Sequence, residues 1–251
     1  MGASLVSAVD PCLAVIPARG GSRGLPGKNI RVLADLPLIV HSLRCAALVP
    51  RLADAIVSTD DPKIAEVARA AGGDVPFMRP AALAGDATPM MPVLRHALDA
   101  MEAARGRRYA SLLLLDPTSP GRTPDDIERA FTLLAADPTA NGVVACSKPT
   151  FNPFWVGVIE REGYIAAAFE ASSRYARRQD VPPFFRINGA LYLWRTEFIR
   201  SAPDAWPLDK HVMLEIPEQR AFSIDDLAEF ETADLLLRAG KVELPWLKVQ
   251  K

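Results

Sequence analysis

Along most of the chain, short apolar runs alternate with longer segments of helical period, and this alternation restricts the fold more than any other feature of the sequence. "LAVIP" (13–17) is followed by "LPLIVHSLRCAALV", "DAIVSTD" by "PKIAEVARAAG", and "SLLLLDP" (111–117) by "TPDDIERAFTLLAAD", with "TPMMPVLRHALDAMEAA" as a further helix. A strand covered on both faces reads as an unbroken apolar run, and strands joined by helical crossovers lie parallel. The expected class is therefore α/β, a doubly wound, mostly parallel sheet. Ligands of such sheets sit at the carboxyl ends of the strands, so the chemistry is sought just after "LAVI", "AIVS" and "LLLL".

The texture changes near residue 142. "GVVACSKP", "FWVGVIE", "YIAAAF" and "GALYLW" read as shorter strands broken by Gly, Pro and Asn, and "SSRYARRQDVPPFFRING" as a basic, proline-broken loop. The reading is one domain over 1–251 with a small β-rich flap inserted at about 148–187. "SIDDLAEFETADLLLRAG" closes the pattern as a helix with Asp225 or Asp226 near its start and Gly240 past its end. A chain of 251 residues can form one large core, since single cores stop growing at about 250–300 residues.

Composition removes several classes of function. Charged residues make up 24% and the formal net charge is -1, which gives no surface-wide attraction for nucleic acid. Cys12, Cys45 and Cys146 are odd in number and widely spaced, as buried small hydrophobes of a reducing compartment are, rather than disulfides or zinc ligands. The first residues carry no basic stretch of a secretory signal, Val6 stands where a myristoylation pattern needs Ser or Thr, and no apolar run reaches the roughly 20 residues of a membrane span. A soluble, cytoplasmic protein without membrane partners is expected.

The segment after the first apolar run, "ARGGSRGLPGKN", is the strongest candidate for chemistry. Its glycines, Gly20, Gly21, Gly24 and Gly27, never fall in the G-x-G-x-x-G spacing of a dinucleotide site. A Walker loop fails too, because Ser22 replaces the first glycine and Asn29 the magnesium-binding hydroxyl. What remains is a loop whose glycines let backbone amides approach phosphate, with Arg19, Arg23 and Lys28 supplying charge. Three cations over ten residues suit a triphosphate whose β and γ groups leave together, since charge builds on the departing pyrophosphate. No histidine base is needed for such a transfer, and His41, His96 and His211 lie near no acidic or thiol pair with ligand spacing.

This loop, together with "VSTDD", "RPAALAGDATP", "LLLLDPTSPGRTPDDI", "FRINGALYL" and "FSIDDLAEFETAD", resembles the acylneuraminate cytidylyltransferase family from about residue 12 to 239. The resemblance implies a Rossmann-like nucleotidyltransferase that transfers CMP from CTP to the anomeric hydroxyl of a nine-carbon 2-keto sugar acid, with Mg2+ as cofactor and release of pyrophosphate. On the family's A-R-x-x-S-K-G-x-x-x-K-N motif fall Arg19, Gly20, Gly21, Ser22, Arg23 (where Lys is usual) and Lys28 as triphosphate binders, and Asn29 as a nucleoside contact. Arg79 matches a reader of the base, and Thr88 lies in the segment lining the same pocket. Arg19, Lys28 and Asp225 are thereby the implied catalytic residues.

Asp116 is the most informative departure. The family usually has L-L-Q-P-T-S-P-L-R, with the glutamine on the sugar acid; here Asp116 replaces it, ahead of Thr118 and Ser119 in the same sugar-facing turn, and Gly121 replaces leucine. An ionised carboxylate accepts hydrogen bonds and donates none. This points either to a substrate with an amino or amido donor there, or to a role for Asp116 on magnesium. Arg186 and Asn188 match F-R-P-N-G, whose arginine resembles a carboxylate or phosphate binder able to pair bidentately. Arg178 aligns with a basic residue that reaches a neighbour's site in the family's homodimers. The family's acidic pair D-x-D reads Ser223, Ile224, Asp225 here, leaving one carboxylate, Asp225, for the metal and implying weaker metal binding; Asp225 as a plain helix cap is the other use. Two further readings stay open. One is a cytidylyltransferase for a Kdo-type or amino-substituted octulosonate; the other is a catalytically weak nucleotide-binding homologue.

Overall fold

The computed structural model describes residues 10–21, 24–170, 174–205 and 208–247. In chain order its strands are β1 (Cys12–Pro17), β2 (Val32–Leu33), β3 (Leu36–Pro37), β4 (Leu52–Ser58), β5 (Ser111–Leu114), β6 (Gly142–Ser147), β7 (Val158–Arg161), β8 (Tyr164–Ala167), β9 (Arg186–Arg195) and β10 (His211–Glu215). The helices are α1 (Leu38–Ala47), α2 (Pro62–Ala70), α3 (Met90–Arg105), α4 (Pro124–Ala136), α5 (Pro153–Val156), α6 (Thr196–Ser201) and α7 (Leu227–Arg238). Six strands form the central sheet in the order β10-β6-β9-β5-β1-β4, all parallel to their neighbours except β9, which runs antiparallel between β5 and β6.

Strand β1 shows why the sheet is wound on both faces. Every one of its residues is buried, and successive side chains point to opposite sides. Cys12, Ala14 and Ile16 join one apolar cluster with Ile39 and Leu43 of α1, Ile64 of α2 and Ile127 of α4. Leu13 and Val15 join the other, with Met91, Leu94 and Leu98 of α3 and Ile199 of α6. Each large side chain here contributes roughly 1.5–3 kcal/mol on full burial, so a polar residue at any position of this strand would cost one layer or the other. A third cluster lets α7 close the molecule over β2, with Leu33, Leu38, Ile224 and Phe230 at its centre.

Helix starts follow local chemistry. Asp61 caps α2 by accepting from Lys63 N at 2.7 Å, and Thr123 with Asp126 forms a capping box on α4. Of the two acids offered at the start of α7, the cap is Asp226, reciprocated by Glu229. "FWVGVIE" departs from its expected strand: residues 154–156 are helical in α5 and only β7 is extended. There Asn152 caps Phe154 N at 3.0 Å and Pro153 supplies a ready-made first turn. Among the described residues β7 and β8 pair with each other and with no other strand.

Because β9 is antiparallel, it begins at the edge where its neighbours end. Residues following β1, β4, β5 and β6 therefore meet Arg186 and Asn188 at one end of the sheet.

Candidate active site

The loop leaving β1 is braced before it is charged. Asn29 is buried, and its Nδ2 donates to the Arg19 carbonyl at 3.1 Å, closing the loop on itself. Gly27 sits at φ 67°, which a residue with a Cβ adopts only under strain, and turns the chain so that Lys28 points inward. The Lys28 ammonium donates to the Ile224 carbonyl at 2.7 Å and to Asp225 Oδ1 at 2.9 Å. The loop and the segment before α7 touch directly: a Cβ on Gly24 would lie 2.3 Å from the Asp225 carbonyl. Arg19 pairs with Asp86, and the Gly20 amide donates to Asp60 Oδ1 at 3.1 Å. Gly21 is exposed beside the Arg19 guanidinium. Ser22 and Arg23 lie outside the described residues.

Arg79 enters the same region from the next strand. Its backbone amide donates to Thr59 O at 2.7 Å, and its guanidinium bonds both the Ser58 hydroxyl, at 3.1 Å, and the Ser58 carbonyl at the end of β4. Burial lowers its pKa, the nearby Asp60 carboxylate opposes that, and Arg19 adds to it. Arg79 is thus near the Arg19 loop but already committed to Ser58. Thr88 closes a turn on Gly85 at 3.1 Å.

The loop after β5 is held by its own backbone. Asp116 Oδ1 accepts from Thr118 N at 3.0 Å and Thr118 Oγ1 at 2.9 Å, the turn its side chain is built to make. Ser119, buried, donates to Asn188 O at 3.2 Å. Asn188 Oδ1 accepts from Ala190 N at 3.0 Å, which leaves the buried Nδ2 as a donor with no acceptor among the described residues. The Ile224 amide donates to Thr118 O at 2.9 Å, joining this loop to the Asp225 segment. Asp116, Thr118, Ser119, Asn188, Lys28 and Asp225 are therefore brought together.

One sequence expectation changes here. Arg186 is not a free fork: its Nε and Nη2 face Glu218 Oε1 at 3.1 and 3.0 Å, and Nη2 also donates to Ala221 O at 2.9 Å. A two-pronged grip on a ligand through that edge would require Glu218 to move. Arg178 stands exposed in a short turn between β8 and β9 and makes no bond to the other site residues among the described residues, as a residue serving a neighbouring copy would.

Sequence reasoning missed Asp60, Asp86, Glu218, Arg220 and Arg122. Three of them lay inside quoted stretches, Asp60 in "VSTDD", Asp86 in "RPAALAGDATP" and Arg122 in "LLLLDPTSPGRTPDDI", whereas Glu218 and Arg220 had no signal. Gly121 also has a reason: a Cβ there would sit 2.0 Å from the Arg220 carbonyl, so the family's leucine does not fit this packing. Arg220 in turn donates to Gly121 O at 3.0 Å and grips Asp126 at 2.5 and 3.0 Å.

A magnesium ion fits the donors modestly. Ser223 and Asp225 are exposed on either side of buried Ile224, so both face the same way. Asp225 Oδ2 accepts no hydrogen bond among the described residues, and no cluster of three His, Cys, Asp or Glu side chains occurs among them. One carboxylate oxygen completed by water and substrate phosphate is an ordinary magnesium arrangement. The cysteines take no part: burial pushes Cys12 and Cys45 up to about 12. No helix among the described residues is long and apolar enough to cross a membrane.

The cytidylyltransferase family model matches residues 13–224, and the chain belongs to that family. It is 35% identical over 185 residues to the CMP-N,N'-diacetyllegionaminic acid synthase of Legionella pneumophila, covering 72% of this chain and 76% of that one. It is 28% identical to the N-acylneuraminate cytidylyltransferase of Escherichia coli, over 84% of this chain and half of the longer relative. The resemblance read from the motifs is borne out. Among solved structures, a CMP:2-keto-3-deoxy-manno-octonic acid synthetase complexed with CTP shares the fold, with a TM-score of 0.66 at 21% identity over 91% of this chain and 99% of that one.

Proposed function

We propose that this protein transfers CMP from CTP to the anomeric hydroxyl of a nonulosonic acid carrying acylamino groups. The observation that carries the reading is the junction at Lys28: a buried ammonium 2.9 Å from Asp225 joins the cationic loop after β1 to the acidic segment before α7. The similarity to a diacetyllegionaminic acid synthase supports the substrate class. Asp116 supports it too, since its unbonded oxygen suits an amide N–H of the sugar.

In the reaction the sugar's anomeric hydroxyl attacks the α-phosphorus and gives up its proton to water or to the sugar's own carboxylate, the bond to the bridging oxygen breaks, and pyrophosphate leaves. Arg19, Lys28 and the amides around Gly21 take up the charge on the departing group, a role typically worth a hundredfold or more in rate per donor. Triphosphate binding exchanges Asp86 and Asp225 for phosphate oxygens on these cations. Arg79 reads the base through the guanidinium edge that Ser58 leaves free, and Thr88 lines the same pocket; Arg186 offers Nη1 to the sugar carboxylate while Glu218 holds its other edge. Asp225 would hold Mg2+, which when bound supplies neutralising charge at the phosphates.

The inserted segment carries exposed Tyr164 and Ile165 at 79% and 82%, a surface that suits a homodimer in which Arg178 reaches the partner's site. Light scattering at twice the 27.2 kDa chain mass is the expected result, and a monomer at micromolar concentration removes this part of the reading. The activity itself is tested by pyrophosphate release from CTP and magnesium with N,N'-diacetyllegionaminic, N-acetylneuraminic and pseudaminic acids and an octulosonate. A CMP adduct by mass spectrometry is expected with a diacetamido sugar first. No release above background with any of them overturns the proposal.

A further inference from the structure

Arg122 is fully buried, yet among the described residues no carboxylate lies within ion-pair distance of it. Its charge is instead solvated by backbone. Nη1 donates to the carbonyls of Asp116 at 2.9 Å, Ser119 at 2.6 Å and Ala190 at 2.8 Å; Nη2 donates to the Ser42 hydroxyl on α1, and Nε has no acceptor. Burying a cation whose nearby carboxylates, Asp116 and Asp126, act on it only from beyond ion-pair distance is expensive, so the arrangement must accomplish something apolar packing does not.

What it does is geometric. Asp116 and Ser119 belong to the loop after β5, and Ala190 belongs to β9. Three carbonyl oxygens repel one another, and here they converge on one nitrogen. Taking the cation away leaves three buried acceptors unmatched and mutually repelling. We propose that Arg122 is a positioning residue for the sugar-acid substrate, fixing the loop that carries Asp116 against the strand that carries Asn188. The proposal rests on the reading that these two residues line the sugar side. Arg19, Lys28 and Arg79 stand on other strands' loops and make no direct bond to Arg122; Lys28 is linked to the Arg122 loop only through Ile224, whose amide donates to Thr118 O, so the nucleotide side should feel the loss of Arg122 less than the sugar side.

Steady-state kinetics of Arg122→Met and Arg122→Lys, with Asn188→Ala as reference, tests this. Displacements near one ångström at a reacting centre cost up to a hundredfold. Arg122→Met is expected to raise KM for the sugar acid about tenfold or more and leave KM for CTP within twofold. Arg122→Lys, whose three N–H groups can serve three carbonyls, is expected to recover to about threefold above wild type. A merely structural role would lower the active fraction and move neither KM, and that result overturns the proposal. If Arg122→Met does not fold, the lysine variant decides alone: a sugar KM at least twofold raised with CTP unaffected supports it, and a wild-type sugar KM overturns it. Should Asn188→Ala raise the sugar KM while neither Arg122 variant does, this inference fails and the substrate reading stands. Should Asn188→Ala leave the sugar KM unchanged, or the wild type turn over no sugar acid, the substrate reading fails and takes this one with it.

Discussion

The loops after β1 and β5 both bring cations to the same edge of the sheet, but they treat them oppositely. On the β1 side, Lys28 and Arg19 pair with acids that water reaches: the Asp225 side chain is 74% exposed and that of Asp86 36%. On the β5 side, Arg122 sits among carbonyls, and Arg220 grips Asp126, whose side chain is 2% exposed. An ion pair open to solvent contributes about 0–1 kcal/mol, so an incoming phosphate can replace one partner at little cost. Breaking a buried pair costs about 3–5 kcal/mol, because the remaining charge cannot rehydrate. The first kind of charge is available for exchange with a ligand; the second fixes shape.

Arg220→Met is the largest test of that contrast. It should cost about 3–5 kcal/mol in urea unfolding at pH 7. Asp126 titrates below its ordinary value although burial pushes it up, because Arg220 and then Thr123 bond its ionised form. That stabilisation is complete above the unfolded carboxylate value of about 3.9 and is lost as pH falls through the lower folded value. In the variant burial is opposed only by Thr123 and by Arg129 at 3.5 Å, so Asp126 titrates higher than in the wild type and the deficit should narrow between pH 7 and pH 4 as the carboxyl takes up its proton. A deficit under 1 kcal/mol, or one equal at both pH values, breaks the contrast. Lys28→Met comes next, with the opposite signature: about a hundredfold slower turnover at saturating CTP, roughly 2.7 kcal/mol, while unfolding moves by about 1 kcal/mol, because Asp225 stays hydrated. Near-normal turnover with a large loss of stability would place Lys28 with the scaffold instead.

The two regions also differ in how far the sequence discloses them. β1, the end of β4 and most of β5 are legible because a strand buried on both faces reads as an unbroken apolar run, as in "LAVI", "AIV" and "LLL". The cap of α7 was within reach, since Glu229 stands three residues after Asp226 and not after Asp225. That Lys28 meets Asp225 across 197 positions was accessible only through motif resemblance, because periodicity says nothing about which loops converge. Less visible still were the clamp of Glu218 on Arg186 and the fit of Gly121 against Arg220. Both depend on where the 217–222 turn lies in space, and β9 running antiparallel between two parallel neighbours sets that. A glycine in place of leucine reads as a loss until the carbonyl filling its space is known.

Ser223→Asp gives the smallest and most discriminating effect. Position 223 already faces the way Asp225 does, because Ile224 between them is buried and its amide is tied to Thr118 O at 2.9 Å. A second carboxylate would therefore reach the metal side without rearranging the segment, and divalent affinity rises with ligand charge. Half-saturating magnesium should fall about three- to tenfold, with turnover at saturating magnesium within twofold of wild type. Manganese binding followed by electron paramagnetic resonance without nucleotide gives the same comparison independently of activity. Unchanged affinity in both measurements would mean that Asp225 serves the loop after β1 only as the exposed partner of Lys28, and that metal, if required, arrives with the nucleotide and takes no ligand from this segment.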